Sequence, residues 1–88
     1  MAKDSTYYET LEALVKSARD IYDYVDSHYD SISIESLDNA VFEVSELHRQ
    51  ALNWVGDNID IDSRRALSTL ESYFEELEGM FRQKETDL

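Results

Sequence analysis

Residues 31–56 read SISIESLDNAVFEVSELHRQALNWVG and carry the signals of one complete helix. Ser33 is a favourable N-cap, and Ile32 before it is placed to act as a hydrophobic staple. Apolar residues then recur every three or four positions, which is the period of a helix with one buried face. Gly56 follows the last of them, where glycine most readily adopts a left-handed C-cap. These signals predict a helix over about residues 34–55.

The same apolar periodicity occurs on both sides of this stretch. It predicts a first helix over about residues 7–29 and a third over about residues 63–84. The first helix is expected to begin with a capping box formed by Thr6 and Glu9. There is no proline in the chain, and no window alternates between apolar and polar residues as a half-buried strand would.

Short links, at about residues 30–33 and 56–62, join the three helices, and Asp60 or Asp62 is expected to cap the third. Short links place sequential helices side by side and antiparallel. Each helix has one wide apolar stripe to bury. The predicted fold is therefore all-α, a single domain over residues 1–88 that forms an antiparallel up-down-up three-helix bundle.

The apolar stripes also define the expected core. Trp54 falls on the stripe of the second helix and is expected to face inward. His28 falls on the stripe of the first helix and is expected to be partly buried or to flank the helix. The residues predicted to be buried are Leu14, Ile21, Val25, Leu37, Val44, Leu47, Leu70, Phe74 and Leu77.

Composition and charge exclude several classes of function. The chain has no cysteine, which favours a cytoplasmic protein without disulfides or zinc–thiolate sites. No apolar run approaches the roughly 20 residues of a membrane span, and the N-terminus lacks a signal-peptide core. The net charge of −12 would repel nucleic acid and anionic membranes, so neither is an expected ligand. The expected partner is a basic protein, unless the charge serves solubility alone.

Eight carboxylates lie between Asp20 and His48, with no lysine or arginine among them. Antiparallel packing is expected to gather them at one end of the bundle, where the acids of the third helix from Glu71 to Glu78 join them. Acids near the end of the first helix oppose its dipole at about 0.3–1 kcal/mol each, and no basic residue follows within a turn. Acids that lower the stability of a helix, with no nearby basic residue to offset the loss, favour a functional role for those acids.

Two aromatic residues fall off the apolar stripes near these acids. Phe42 has three open interpretations: core against a second neighbouring helix, a self-association contact, or an anchor for another protein. Tyr24, beside aspartates, can engage arginine by stacking and hydrogen bonding, or can flank the core with its hydroxyl in water. The predicted partner-binding residues are Asp20, Asp23, Tyr24, Asp26, Asp30, Glu35, Asp38, Phe42, Glu43 and Glu46.

No pattern in the sequence predicts catalysis. His28 and His48 lack the Glu-x-x-His spacing of di-iron bundles, and no serine has the context of a nucleophile elbow. We therefore expect no enzyme activity, no metal site and no cofactor.

Two functional hypotheses remain. The first is a small inhibitor or immunity-type protein, or nucleic-acid mimic, that blocks a basic nuclease or nucleic-acid-binding partner. The chain resembles phage-encoded inhibitors of host nucleases and immunity proteins in type only, by its size, its charge and its lack of catalytic residues; no family motif is recognised. The alternative is a structural or adaptor module that forms a homodimer or binds a partner helix, with the acids serving solubility.

Overall fold

A computed structural model describes residues 5–57 and 60–87 of the chain. This part of the protein forms three α-helices and contains no strand. The helices are α1 (Ser5–Ser27), α2 (Ile34–Val55) and α3 (Ile61–Thr86). The all-α prediction is confirmed, and the bounds of α2 agree with the predicted ones.

Contacts at both ends of the bundle fix the direction of each helix. The hydroxyl groups of Tyr7, near the start of α1, and Ser63, near the start of α3, form a 2.6 Å hydrogen bond. At the other end, Lys84 of α3 reaches Tyr29, just beyond α1. Thus α1 and α3 run parallel while α2 returns antiparallel to both, and each helix packs on the other two. The up-down-up three-helix bundle is confirmed, as a rod of 52 × 19 × 16 Å.

The two residues that cap α2 are those that the sequence predicts, but Gly56 does not adopt the expected left-handed helical conformation. The Ser33 Oγ accepts the backbone N–H of Ser36 at 3.1 Å. At the other end, the Gly56 N–H donates to the Leu52 carbonyl at 3.0 Å. Gly56 has φ +64° and ψ −140°, a conformation that side chains with a Cβ disfavour. The positive φ thus explains glycine at this position.

The N-cap of α3 is Asp60, the first of the two predicted candidates. Its Oδ1 accepts the Ser63 N–H at 2.8 Å, so the helix begins at Ile61, two residues earlier than expected. It also continues to Thr86, two residues further than expected.

The predicted ends of α1 are wrong. Thr6 and Glu9 do not form a capping box, because both lie inside a helix that begins at Ser5; the Thr6 carbonyl accepts a bond from the Thr10 hydroxyl at 2.9 Å. The last helical residue is Ser27 rather than residue 29.

A tight turn after Ser27 explains the early end of α1. The N–H groups of Ser31 and Ile32 both donate to the His28 carbonyl, at 3.0 and 2.8 Å. This turn carries Ile32 into the core and leaves the His28 side chain exposed. Of the two expectations for His28, partial burial is therefore wrong.

The core agrees with the predicted stripes along its centre and differs at its edges. Val25, Leu37, Val44, Leu70 and Leu77 are buried as predicted. The other four predicted residues are only half-buried, because a slender three-helix rod leaves the margins of each stripe near water; they are Leu14, Ile21, Leu47 and Phe74. Small buried residues let the helices approach closely; they are Ala18, Ala40 and Ala51.

The prediction that Trp54 faces inward is also wrong, because its side chain is 46% exposed. Its ring stacks on Tyr7 with the centroids 6.1 Å apart and an interplanar angle of 16°. Its Nε1–H donates to the Tyr7 carbonyl at 3.2 Å. The indole therefore covers the start of α1 instead of filling the core.

A polar network ties the start of α1 to the start of α3. The Tyr8 hydroxyl donates to Asp60 Oδ2 at 2.6 Å, while Tyr7 bonds the fully buried Ser63. The bond to Asp60 favours the protonated phenol, with help from burial and the nearby carboxylates, and raises the pKa of Tyr8 to about 12.

The two glycines are expected to respond oppositely to alanine. Gly79 lies exposed inside α3 with open space around it, so Gly79→Ala should stabilise the protein by about 1 kcal/mol. Gly56→Ala should destabilise it by about 1–2 kcal/mol. A Cβ at this position would meet no neighbouring atom of the described residues, so the cost comes from the positive φ, which alanine rarely adopts. Urea unfolding of both variants measures the difference, and equal effects would contradict the assigned backbone geometry.

Tyr8 should make stability depend on pH in the alkaline range. Its pKa rises from 10.0 to about 12 on folding, so its contribution is complete below pH 10 and is lost between pH 10 and 12. The excess stability of the wild type over Tyr8→Phe should therefore vanish across this window in urea titrations. Tyr24→Phe, at an exposed position, is the control. If the difference in unfolding free energy between the wild type and Tyr8→Phe stayed constant from pH 10 to 12, the hydrogen bond to Asp60 would not be the cause of that difference.

Candidate functional site: an acidic face on α1 and α2

The ten predicted partner-binding residues occupy the last part of α1, the turn after it and residues 35–46 of α2. We call this set the acidic face. Its carboxylates and aromatics are exposed except for Glu46, which is half-buried. The antiparallel packing of α1 and α2 brings the two halves of the sequence run side by side, because the turn between the helices is short.

A shallow groove runs between α1 and α2 within this face. It encloses about 400 Å³, and Asp20, Tyr24 and Glu43 are among the residues that line it. The buried side chains of Val25 and Ile32 also line the groove. The groove therefore has polar and apolar walls in contact, which suits a side chain with an aliphatic stem and a cationic end.

Most of the carboxylates on the acidic face form no ion pair within the part of the chain that the structure describes. Within residues 5–57 and 60–87, Glu46 alone among the eight forms an ion pair, with Arg49 three residues along α2. The other seven stay unpaired at the protein surface, which leaves a strongly negative local potential. Glu46 is thus the least available of the predicted site residues.

The third helix extends this potential less than the sequence suggests. Glu71 and Glu75 are exposed, but Glu78 pairs with Arg82 at 3.0 Å. Glu76 accepts a hydrogen bond from Tyr22 of α1, which raises the pKa of that tyrosine. Two of the four α3 acids therefore already have partners within the chain.

Phe42 and Tyr24 are the two large aromatic side chains that the acidic face exposes. Phe42 is 64% exposed and Tyr24 is 59% exposed. The interpretation of Phe42 as a core residue is therefore wrong, because α1 and α3 cover the opposite side of α2. Tyr24 lines the groove between α1 and α2, whereas Phe42 lies outside that lining.

His28 belongs to this region although its position in the sequence continues the apolar stripe of α1. Its ring stacks on Tyr24 with the centroids 4.3 Å apart and an interplanar angle of 25°. Its Nδ1 lies 2.8 Å from the Tyr24 carbonyl oxygen. The four-residue spacing of the two rings is the signal that could have identified this exposed pair.

Lys84 overturns the argument that the end of α1 lacks a compensating charge. Its Nζ donates to the Tyr29 carbonyl at 2.6 Å and lies 4.9 Å from the centroid of the Tyr29 ring. A cation from α3 therefore lies close to the negative end of α1 and partly compensates its dipole. The acids of α1 oppose a dipole that is compensated from another helix, so their position alone no longer indicates function.

Comparisons with known proteins give no relative from which to infer a function. The chain matches no protein-family model, and searches of curated proteins and of solved structures find no match. Among the described residues, no three histidines or carboxylates are placed to hold one metal ion. None of their helices is long and apolar enough to cross a membrane.

Removing the charge of Lys84 should destabilise the bundle. Lys84→Met keeps the length of the side chain and should cost about 1 kcal/mol, since the end of α1 loses its cation and a hydrogen bond. Arg82→Met is the matched control; it breaks an exposed ion pair and should cost at most about 0.5 kcal/mol. Thermal and urea unfolding measure both, and equal losses would show that Lys84 has no special role.

Proposed function

We propose that this protein is a small non-catalytic inhibitor that binds a basic partner through the acidic face. The partner class that fits is a nuclease or another nucleic-acid-binding protein, whose phosphate-binding site the carboxylates would occupy. The observation that carries the proposal is the exposure of two large aromatics, Phe42 and Tyr24, among carboxylates without partners.

Exposure of these rings is costly for an isolated bundle. Burying a phenylalanine side chain contributes about 1.5–3 kcal/mol, which the 64% exposed Phe42 largely forgoes. Aromatic residues inside a polar rim are the usual energetic centres of protein interfaces. A partner that covers Phe42 would recover this free energy, while the surrounding acids would select for positive charge.

The density of negative charge is close to that of a nucleic acid. The segments from Asp20 to Asp30 and from Glu35 to Glu46 lie side by side and each extends about 16 Å at most. Eight carboxylates over this length give about one charge per 2 Å, compared with one per about 1.7 Å of duplex DNA. A surface built to bind a phosphate backbone would thus meet a similar field.

Arginine is the side chain that this surface is best equipped to bind. Carboxylates accept two parallel hydrogen bonds from a guanidinium group, and an aromatic face binds the same group by stacking. Tyr24 offers both its ring and the neighbouring groove wall formed with Asp20 and Glu43. The stacked His28 supports that ring from one side.

The alternative is an adaptor module that binds a partner helix or a second copy, with the acids serving solubility. Phe42 and Leu52 support it, because both are exposed on α2 and Leu52 lies outside the acidic face. The two proposals differ in their response to salt, since apolar contacts are not screened whereas charge pairs are.

The immobilised wild-type chain is first used at low salt to capture its basic partner. That partner is then purified and used in the binding measurements. Asp23→Lys with Asp26→Lys should slow association and weaken binding by about tenfold or more, because complementary charge governs encounter. Glu9→Lys with Asp57→Lys is the control, with the same change in net charge at exposed positions outside the acidic face. Phe42→Ala should speed dissociation and leave association nearly unchanged.

Duplex DNA should compete with the inhibitor for the purified partner. Unchanged binding by the Asp23 and Asp26 double variant, with no effect of salt, would refute the acidic face and favour the adaptor module. Simultaneous binding of DNA and inhibitor would refute blockade of the phosphate site specifically.

A further inference from the structure

A second groove lies between α1 and α3, away from the acidic groove. It encloses about 690 Å³. Its apolar lining includes Leu11, which is buried, and Val15 and Ala66, which are half-buried. The two helices run parallel here, so the groove is a long slot whose shape suits another helix.

The charged residues that line this slot are mainly basic, whereas those of the chain as a whole are mainly acidic. Three of the eight basic residues of the chain line it, namely Lys16, Arg19 and Arg65, together with the acids Glu12 and Asp62. None of the five forms an ion pair within residues 5–57 and 60–87. The slot is thus a locally positive strip on a chain whose net charge is −12.

This mixture of signs is suited to a second copy of the same chain. A purely acidic partner would leave Glu12 and Asp62 facing like charges, and a purely basic one would meet three cations. Two copies also repel each other strongly wherever both surfaces are acidic, so a locally positive strip is where they can approach. A two-fold axis further requires that every contact occur twice. If one residue of the first copy contacts a different residue of the second, the same two residues also meet with the copies interchanged.

We propose that two copies associate through this slot, with the two α1 helices antiparallel and crossing near Val15. Glu12 and Arg19 lie seven residues apart, two turns along the same side of α1. An axis between Val15 and Lys16 places Glu12 of each copy opposite Arg19 of the other. The contact then contains two equivalent ion pairs on either side of the apolar Val15.

The slot and the groove between α1 and α2 lie on different sides of α1, and self-association needs no basic partner, so it does not depend on the function proposed above. Asp23 and Asp26 of the acidic face lie four and seven residues after Arg19, on the slot side of α1. The groove beside α2 is lined by Asp20 and Tyr24, while the slot beside α3 is lined by Glu12, Lys16 and Arg19. A pair of copies would leave both grooves beside α2 uncovered.

Sedimentation equilibrium of the full chain tests the proposal at physiological ionic strength, where the screening length is about 8 Å. The wild type should form dimers as its concentration rises from micromolar to millimolar. Arg19→Glu and Glu12→Arg should each weaken dimerisation by about tenfold or more, since the two-fold axis doubles every new repulsion. Arg64→Glu, exposed and outside the slot, should have a much smaller effect.

Two combinations restore the charge pattern and separate this contact from a general effect of charge. The double variant Glu12→Arg, Arg19→Glu should dimerise like the wild type, because each ion pair is merely reversed. An equimolar mixture of the two single variants should form a heterodimer. Circular dichroism is the check that each variant folds.

A wild type that stays monomeric throughout this range would overturn the proposal. Single variants that dimerise as well as the wild type would overturn it too, and loss of that dimer in Phe42→Ala would place the contact on α2 instead. Failure of the double variant to recover dimerisation would equally exclude the Glu12–Arg19 pairing.

Discussion

Asp60 holds the starts of two helices with one carboxylate. One oxygen accepts the Ser63 N–H and caps α3, while the other accepts the Tyr8 hydroxyl of α1. A chain of 88 residues buries a modest share of its surface and here has no disulfide to limit its unfolded state. Its stability therefore depends on how well the ends of the helices are held. The contact between Lys84 and Tyr29 serves the same purpose at the opposite end.

The sequence is most informative where local chemistry alone decides the structure. Ser33 and Gly56 bound α2 correctly, because a serine side chain and a glycine backbone act within four residues of their own position. The ends of α1 are not predictable in this way. His28 continues the apolar period, yet the turn that carries Ile32 into the core ends the helix before it. The end of α1 is therefore determined by tertiary packing, and apolar periodicity carries no information about that packing.

The candidate site shows the same division. The exposure of Phe42 and Tyr24 follows from their position off the apolar stripes, and the structure agrees. The contribution of Lys84 could not be foreseen, because 55 residues separate it from the carbonyl that it binds. Trp54 lies on its stripe and nevertheless covers Tyr7 from outside, since the bundle is too narrow to enclose an indole at its end. Pairings between distant residues thus account for most differences from the expectation.

The rod is 52 Å long and only 19 Å across, and its charge is not evenly distributed along it. The half that contains the turn between α1 and α2 carries most of the excess of carboxylates, while Lys16, Arg64 and Arg65 lie toward the other half. Such a molecule has a large electric moment along its axis. In the field of a positively charged surface it experiences a torque that turns the acidic end forward. Its orientation is therefore partly selected during diffusion, before any side chain makes contact.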